Sequence, residues 1–280
     1  MKLGVIVSPA AGYSYDEIKD LAREAERGGF DSFWVSDHFF GGEGFPDRDC
    51  LEAWTLLAGL ARDTERIRLG CLVTAAQYRN PAVLAKTVAG VDQMSNGRIE
   101  FGIGAGWKVN EYKAYGIDFD EPGPRVDQMI EAIEICRRLW TEDRPTFMGK
   151  HYRIENAVSA PKPAQKPYPP LWVGGSGPRV MRVAARMADG FDIGKRGPGG
   201  AFLTEDEMRA INADLDAVCA SVKRDRKLLR SHWSLASVSD NTSVHELRRR
   251  IDEYARAGLD RYILSFPREG AREMIKRVSA

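Results

Sequence analysis

One rhythm constrains this chain more than anything else in it. Short runs of β-branched and aromatic residues alternate with longer stretches of helical period. The strand-like runs fall at 3–7, 32–36, 67–73, 98–103, 171–173, 190–193, 233–238 and 261–266. Between and after them lie helical stretches at 15–27, 51–62, 81–94, 124–140, 178–187, 205–222 and 244–256, with a terminal helix to about 278. Gly28-Gly29 closes the first helix, and Pro81 opens the third at its first position. Ile130, Ile133, Cys136, Leu139 and Trp140 share one side of the fourth, the spacing of a core-facing stripe. Strands joined through helices run parallel with right-handed crossovers. Eight such units in 280 residues give an α/β protein with a (β/α)8 TIM barrel, built as one domain over 1–280. A doubly wound sheet is the alternative, but it ordinarily has fewer strands.

The rhythm breaks once, after helix 4. Residues 147–152 read as a hairpin, and Pro161, Pro163, Pro167, Pro169 and Pro170 follow within ten residues. Repeated proline excludes a central strand or a helix, so 141–170 is expected to be an ordered insertion over the barrel top. Composition narrows function. Lys plus Arg number 41 against 40 Asp plus Glu, which gives no electrostatic footprint for nucleic acid. No apolar run approaches the roughly 20 residues that span a bilayer, so no membrane association is expected. The apolar start is read as a buried first strand, because a helical pattern follows it directly. Cys50, Cys71, Cys136 and Cys219 are far apart and show no metal-ligand spacing, which points to no metal and a reducing cytoplasm.

A barrel of this type carries its chemistry at the C-terminal ends of the strands. Strand two ends in Ser36-Asp37-His38-Phe39. Of the four histidines, His151 lies in the hairpin, His232 precedes a strand on the bottom face, and His245 opens a helix. His38 is therefore the acid/base or cofactor-contact candidate, although capping a loop is an equally plain role for it. Strand three ends near Thr74. Strand four ends in Gly102-Ile103-Gly104-Ala105-Gly106-Trp107, whose alternate glycines admit a flat ring or simply let the strand bend. It lacks the third glycine and ribose acid of a dinucleotide fingerprint. Gly174-Gly175-Ser176-Gly177-Pro178 opens directly into a helix, and free backbone N–H groups at such an end favour a phosphate. Ser176 is expected to cap that helix, and Arg179 in its first turn opposes the helix dipole and needs another reason to be there. The basic, glycine-rich 194–200 stretch suits either a lid or a solvated loop.

Taken in order, several stretches resemble the bacterial luciferase-like monooxygenase family, and more closely its deazaflavin (coenzyme F420)-dependent branch. They are residues 29–38, ending in Val-Ser-Asp-His, then 66–70, 80–85, 96–107, 161–163 and 170–175, through Ala188-Asp-Gly190. The resemblance implies a cofactor, F420 or alternatively FMN, lying over the strand ends with Asp37 and His38 at its ring. It implies contacts from Leu72, Val73, Thr74, Gly104, Ala105 and Gly106, and a non-proline cis peptide between Leu72 and Val73. It also implies that Gly174, Gly175, Ser176, Gly177 and Pro178 hold the phosphate, that Trp107 and Phe39 line the substrate pocket, and that the protein is a homodimer. Deazaflavin sugar-phosphate dehydrogenases carry an acidic residue where this chain has Trp107, and a tryptophan where it has Gly41-Gly42. The expected function is hydride transfer between the deazaflavin and a small organic substrate, with His38 catalytic. An FMN-dependent monooxygenase and a non-catalytic flavin-binding protein are the alternatives.

Overall fold

In a computed structural model, which describes residues 1–42, 46–194, 202–234 and 242–279, eight strands close into a parallel barrel. The strands are β1 (Lys2–Val7), β2 (Ser32–Val35), β3 (Arg68–Ala75), β4 (Ile99–Gly104), β7 (Leu171–Gly175), β8 (Gly190–Ile193), β9 (Arg230–Trp233) and β10 (Arg261–Ser265). Around the barrel they follow the order β1-β10-β9-β8-β7-β4-β3-β2. The outer layer comprises α1 (Tyr15–Arg27), α2 (Ala53–Asp63), α3 (Pro81–Met94), α5 (Pro122–Thr141), α6 (Pro178–Met187), α7 (Glu205–Ser221), α8 (Val244–Arg256) and α9 (Ala271–Ser279). A short helix that the periodicity did not reveal, α4 (Val109–Ala114), sits in the loop after β4. No helix among the described residues is long and apolar enough to cross a membrane.

Where local chemistry is strong, boundaries match the sequence reading. Ser14 and Glu17 form a reciprocal capping box at the start of α1, and Asn80 caps α3 ahead of Pro81. The cis peptide bond lies between Leu72 and Val73, as the resemblance implied, beside a register shift between Cys71 and Thr74. Two expectations need correction. The seventh barrel strand already begins at Arg230 and is described over Arg230–Trp233, so His232 lies within a strand and not beneath it, while 235–238 of the expected run lie outside the described residues. Its ring is buried and stacked on Trp172, with centroids 3.2 Å apart.

The 141–170 segment does not lie over the barrel top. Its hairpin, β5 (Phe147–Met148) paired with β6 (Arg153–Ile154), is held at the side of α5, where Glu131 accepts from the N–H groups of Lys150, His151 and Tyr152. The proline-rich part then runs along α3. Gln165 there bonds Asp92 and the carbonyl of Ile99, and accepts from Arg68 at the N-terminal ends of the strands. The reason is topological: α5 carries the chain back to the barrel's lower end before the segment begins.

Two shells make the core. Between strands and helices lies one continuous apolar layer, and inside the barrel Trp34, Trp172, Leu72 and Ile263 form a separate plug. Beneath that plug Arg261 pairs with Glu100 at 2.7 Å and with Asp31 at 2.6 Å, closing the lower end with buried charge. Burial works against ionisation of Glu100, but Arg261 and Arg68 hold its carboxyl below the ordinary value. The open end is therefore the C-terminal one.

Candidate active site

Half-buried at that end, His38 follows β2. Its Nδ1 lies 3.1 Å from Oε2 of Glu111, a fully buried carboxylate carried by α4. The same carboxylate accepts from the Tyr78 hydroxyl at 2.6 Å, from Lys108 Nζ at 2.8 Å and from the Phe39 N–H at 3.0 Å. Lys108 also donates to the carbonyl of Phe40 at 3.3 Å. Glu111 thus ties the loops after β2, β3 and β4 together. Directing Nδ1–H at Glu111 leaves Nε2 as the nitrogen available to a ligand, an acceptor in the neutral ring and a donor in the protonated one.

Burial works against the Glu111 charge, yet the donors from His38, Lys108 and Tyr78 prevail and bring its pKa down to about 2. The Tyr78 hydroxyl is pushed up by burial and by that same carboxylate. A depressed carboxyl contributes stability fully above its ordinary value of 4.5 and loses it as pH falls through about 2. The melting temperature of wild type should therefore drop between these values by an increment that Glu111→Gln lacks. Parallel melting curves for the two proteins across that window would contradict the coupling.

Asp37 is bonded within the chain itself. Arg79 grips it twice, at 2.7 and 2.8 Å, and the Ala75 N–H donates to it at 3.0 Å. Arg79 also bonds Glu52, which caps α2. The Asp37 side chain is fully covered, and these bonds fix the β2 and β3 ends relative to each other. Thr74 is likewise engaged behind the sheet, accepting from Trp54 Nε1 at 3.2 Å.

Phe39 is sandwiched between Tyr78 and Tyr115, each 4.3 Å away centroid to centroid. Trp107 stands edge-on to His38 at 5.9 Å and is 73% exposed, an apolar surface with little covering it. The glycines of β4 and β7 serve a neighbour. A Cβ on Gly104 would come within 2.6 Å of Val73, and one on Gly174 within 2.7 Å of the same side chain. Their missing side chains make room for Val73 at the register shift. Gly106 takes φ +72°, and Arg125 donates to the carbonyls of Ala105 and Gly106.

At the other wall, Gly177 is the N-cap of α6 in extended conformation, and no side chain caps it. The expected Ser176 cap is not formed; Ser176 is exposed beside the turn. A Cβ added to Gly177 would meet nothing within 4 Å. Open space, an uncapped helix end and Pro178 at the first helical position suit an anion. Arg179 has the other reason it needed: it pairs with Asp127 and bonds the carbonyl of Gly123 on α5. Lys195 and Arg196 lie outside the described residues.

The sequence reading therefore named His38 and the 174–178 turn, and the structure sets them at one barrel end. It missed Glu111, Tyr78, Lys108 and Arg79. The available signal was an acidic residue a few positions beyond the end of strand four, at the onset of a short helix.

Comparison with known proteins bears on this site. The model of the luciferase-like monooxygenase family matches residues 1–278. An F420-dependent glucose-6-phosphate dehydrogenase from Kineococcus radiotolerans is 34% identical over 78% of this chain and 63% of its own, so the chain spans less than two thirds of that relative. An FMNH2-dependent dimethylsulfone monooxygenase from Pseudomonas putida is 29% identical over 74% of this chain and 57% of its own. Among solved structures, an F420-dependent secondary alcohol dehydrogenase in complex with an F420-acetone adduct superposes with a TM-score of 0.85 at 19% identity. That match covers 99% of this chain and 97% of the other, and it establishes the shared fold.

Proposed function

The chain belongs to the luciferase-like monooxygenase family, and on that premise we propose that it is a coenzyme F420-dependent oxidoreductase acting on a small organic substrate. One observation carries the reading. His38, oriented by buried Glu111, and the uncapped turn at Gly177 share one barrel end, in a chain 34% identical to an F420-dependent dehydrogenase. The deazaflavin, when bound, supplies the hydride-transfer chemistry. The chain's own residues do the rest. Backbone at Gly174 to Pro178 takes the phosphate, and Leu72, Val73 and Ala105 border the ring. Nε2 of His38 holds or donates a proton at the reacting oxygen, and Trp107 with Phe39 walls the substrate. Trp107 and Gly41-Gly42 stand where sugar-phosphate dehydrogenases of this branch carry an acid and a tryptophan, which argues against a sugar-phosphate substrate. Four unpaired cysteines, three of them buried, suit a reducing cytoplasm.

The FMN reading rests on the dimethylsulfone monooxygenase likeness. Matched titrations with FMN and with F420 decide between them. F420 carries a longer anionic tail, and Lys195 and Arg196 follow the strand next to the phosphate turn. Cations paired with an exposed anionic tail would each contribute up to about 1 kcal/mol, less in salt. F420 should therefore bind more tightly than FMN, with a gap that narrows as salt rises and shrinks in the Lys195→Ala, Arg196→Ala double mutant. Equal or tighter FMN binding at every salt concentration selects the monooxygenase reading instead.

A further inference from the structure

Inside the barrel, one acidic residue has no role in the site described so far. Asp192 lies on β8, in register with Gly174 on one side and His232 on the other. Side chains alternate along a strand, and a Cβ on Gly190 would run into the Trp172 ring of the interior plug, so Asp192 faces inward two residues nearer the mouth. It is 6% exposed. Ser234, just beyond β9, donates to its Oδ2 at 3.2 Å, while Oδ1 is buried without a partner among the described residues. Burial raises its pKa to about 7, with the Ser234 hydrogen bond opposing. A buried polar atom left unpaired costs stability, and a bound ligand is one way in which such an atom is completed.

Position sharpens this. In the closed order, β8 lies four strands from β2 in either direction, so Asp192 and His38 stand on opposite walls of one mouth. β8 also pairs with β7, whose end carries the phosphate turn, and the intervening Gly174 has no side chain. We propose that Asp192 is a cofactor-binding residue, whose free Oδ1 accepts a hydrogen bond from an N–H or O–H of the cofactor's uncharged part. Two donors of that chemistry exist in F420, the ring imide and the hydroxyls of the polyol linking ring to phosphate. The inference rests on the F420 reading above.

The test is fluorescence titration of F420 into wild type, Asp192→Leu and Asp192→Asn, with melting temperatures taken without cofactor. Replacing an under-bonded buried carboxyl with an apolar side chain of similar volume should leave the cofactor-free protein as stable as wild type or more so. F420 should bind Asp192→Leu at least tenfold more weakly, and Asp192→Asn, which keeps an acceptor oxygen, should lie between. Should Asp192→Leu fail to fold, Asp192→Ala supplies the same comparison. Repeating the titration with the deazaflavin ring bearing a methyl in place of the polyol separates the donors: a persisting penalty assigns the ring imide, a vanished one the polyol. Wild-type affinity in a folded Asp192→Leu overturns the proposal while leaving the F420 reading intact. Failure of wild type itself to bind F420 overturns that reading and the proposal with it.

Discussion

Gly177→Asp should weaken cofactor binding by about 10³-fold while the barrel melts at or slightly above the wild-type temperature. The backbone at Gly177 is extended, with φ −84° and ψ 149°, and a side chain added there has open space. Asp is among the best N-cap residues, and a cap gained where none exists stabilises a helix by about 1 kcal/mol. The same carboxylate would occupy the ground proposed for the phosphate. Two like charges about 4 Å apart near a protein surface repel by about 4 kcal/mol, which is the origin of the 10³-fold figure. Fold and function should therefore move in opposite directions, a pattern that general damage cannot imitate. Titration with F420 alongside a thermal melt checks both, and unchanged affinity in the folded variant would remove the phosphate from this turn.

His38→Ala should lower turnover by about 10²-fold or more, the usual contribution of a positioned acid or base. Stability should scarcely change. The ring is 18% exposed, and with it gone Glu111 still accepts from Tyr78, Lys108 and the Phe39 N–H, so no buried charge is stranded. Turnover of the variant against a panel of small alcohols and carbonyl compounds, set beside its melting temperature, distinguishes the roles. A large fall in melting temperature with normal turnover would make His38 a structural residue.

Local chemistry explains which parts of this protein could be read in advance. The helices at 15–27, 81–94, 178–187 and 244–256 carry their own caps or an opening proline, and their bounds agree with the structure. The start of β9 was missed because Arg230-Ser-His-Trp is polar on the face that the barrel buries. The Trp-Ser-Leu-Ala-Ser-Val run after it alternates more convincingly. Placing 141–170 over the mouth failed because proline excludes regular structure without saying which end of the barrel a segment covers. In the site, His38 was legible from its place at a strand end. Glu111 was not, because its contact with His38 joins residues 73 apart and depends on two loops meeting in space. The same holds for Arg79, whose ion pair with Asp37 spans 42 positions.

Val73 and the glycines around it carry a lesson for anyone wishing to retool the pocket. Gly104 and Gly174 look like the obvious places to add bulk against a ligand, yet any side chain there strikes Val73 first. Enlarging them would move the bend in β3, and with it Ala75, whose N–H helps hold Asp37 in place. The freedom to evolve lies elsewhere. Trp107 is mostly in solvent and Tyr115 is 56% exposed, so either can be exchanged without disturbing the barrel wall. New substrate ranges should arise on that rim, while the glycine-lined corner stays invariant under selection for them.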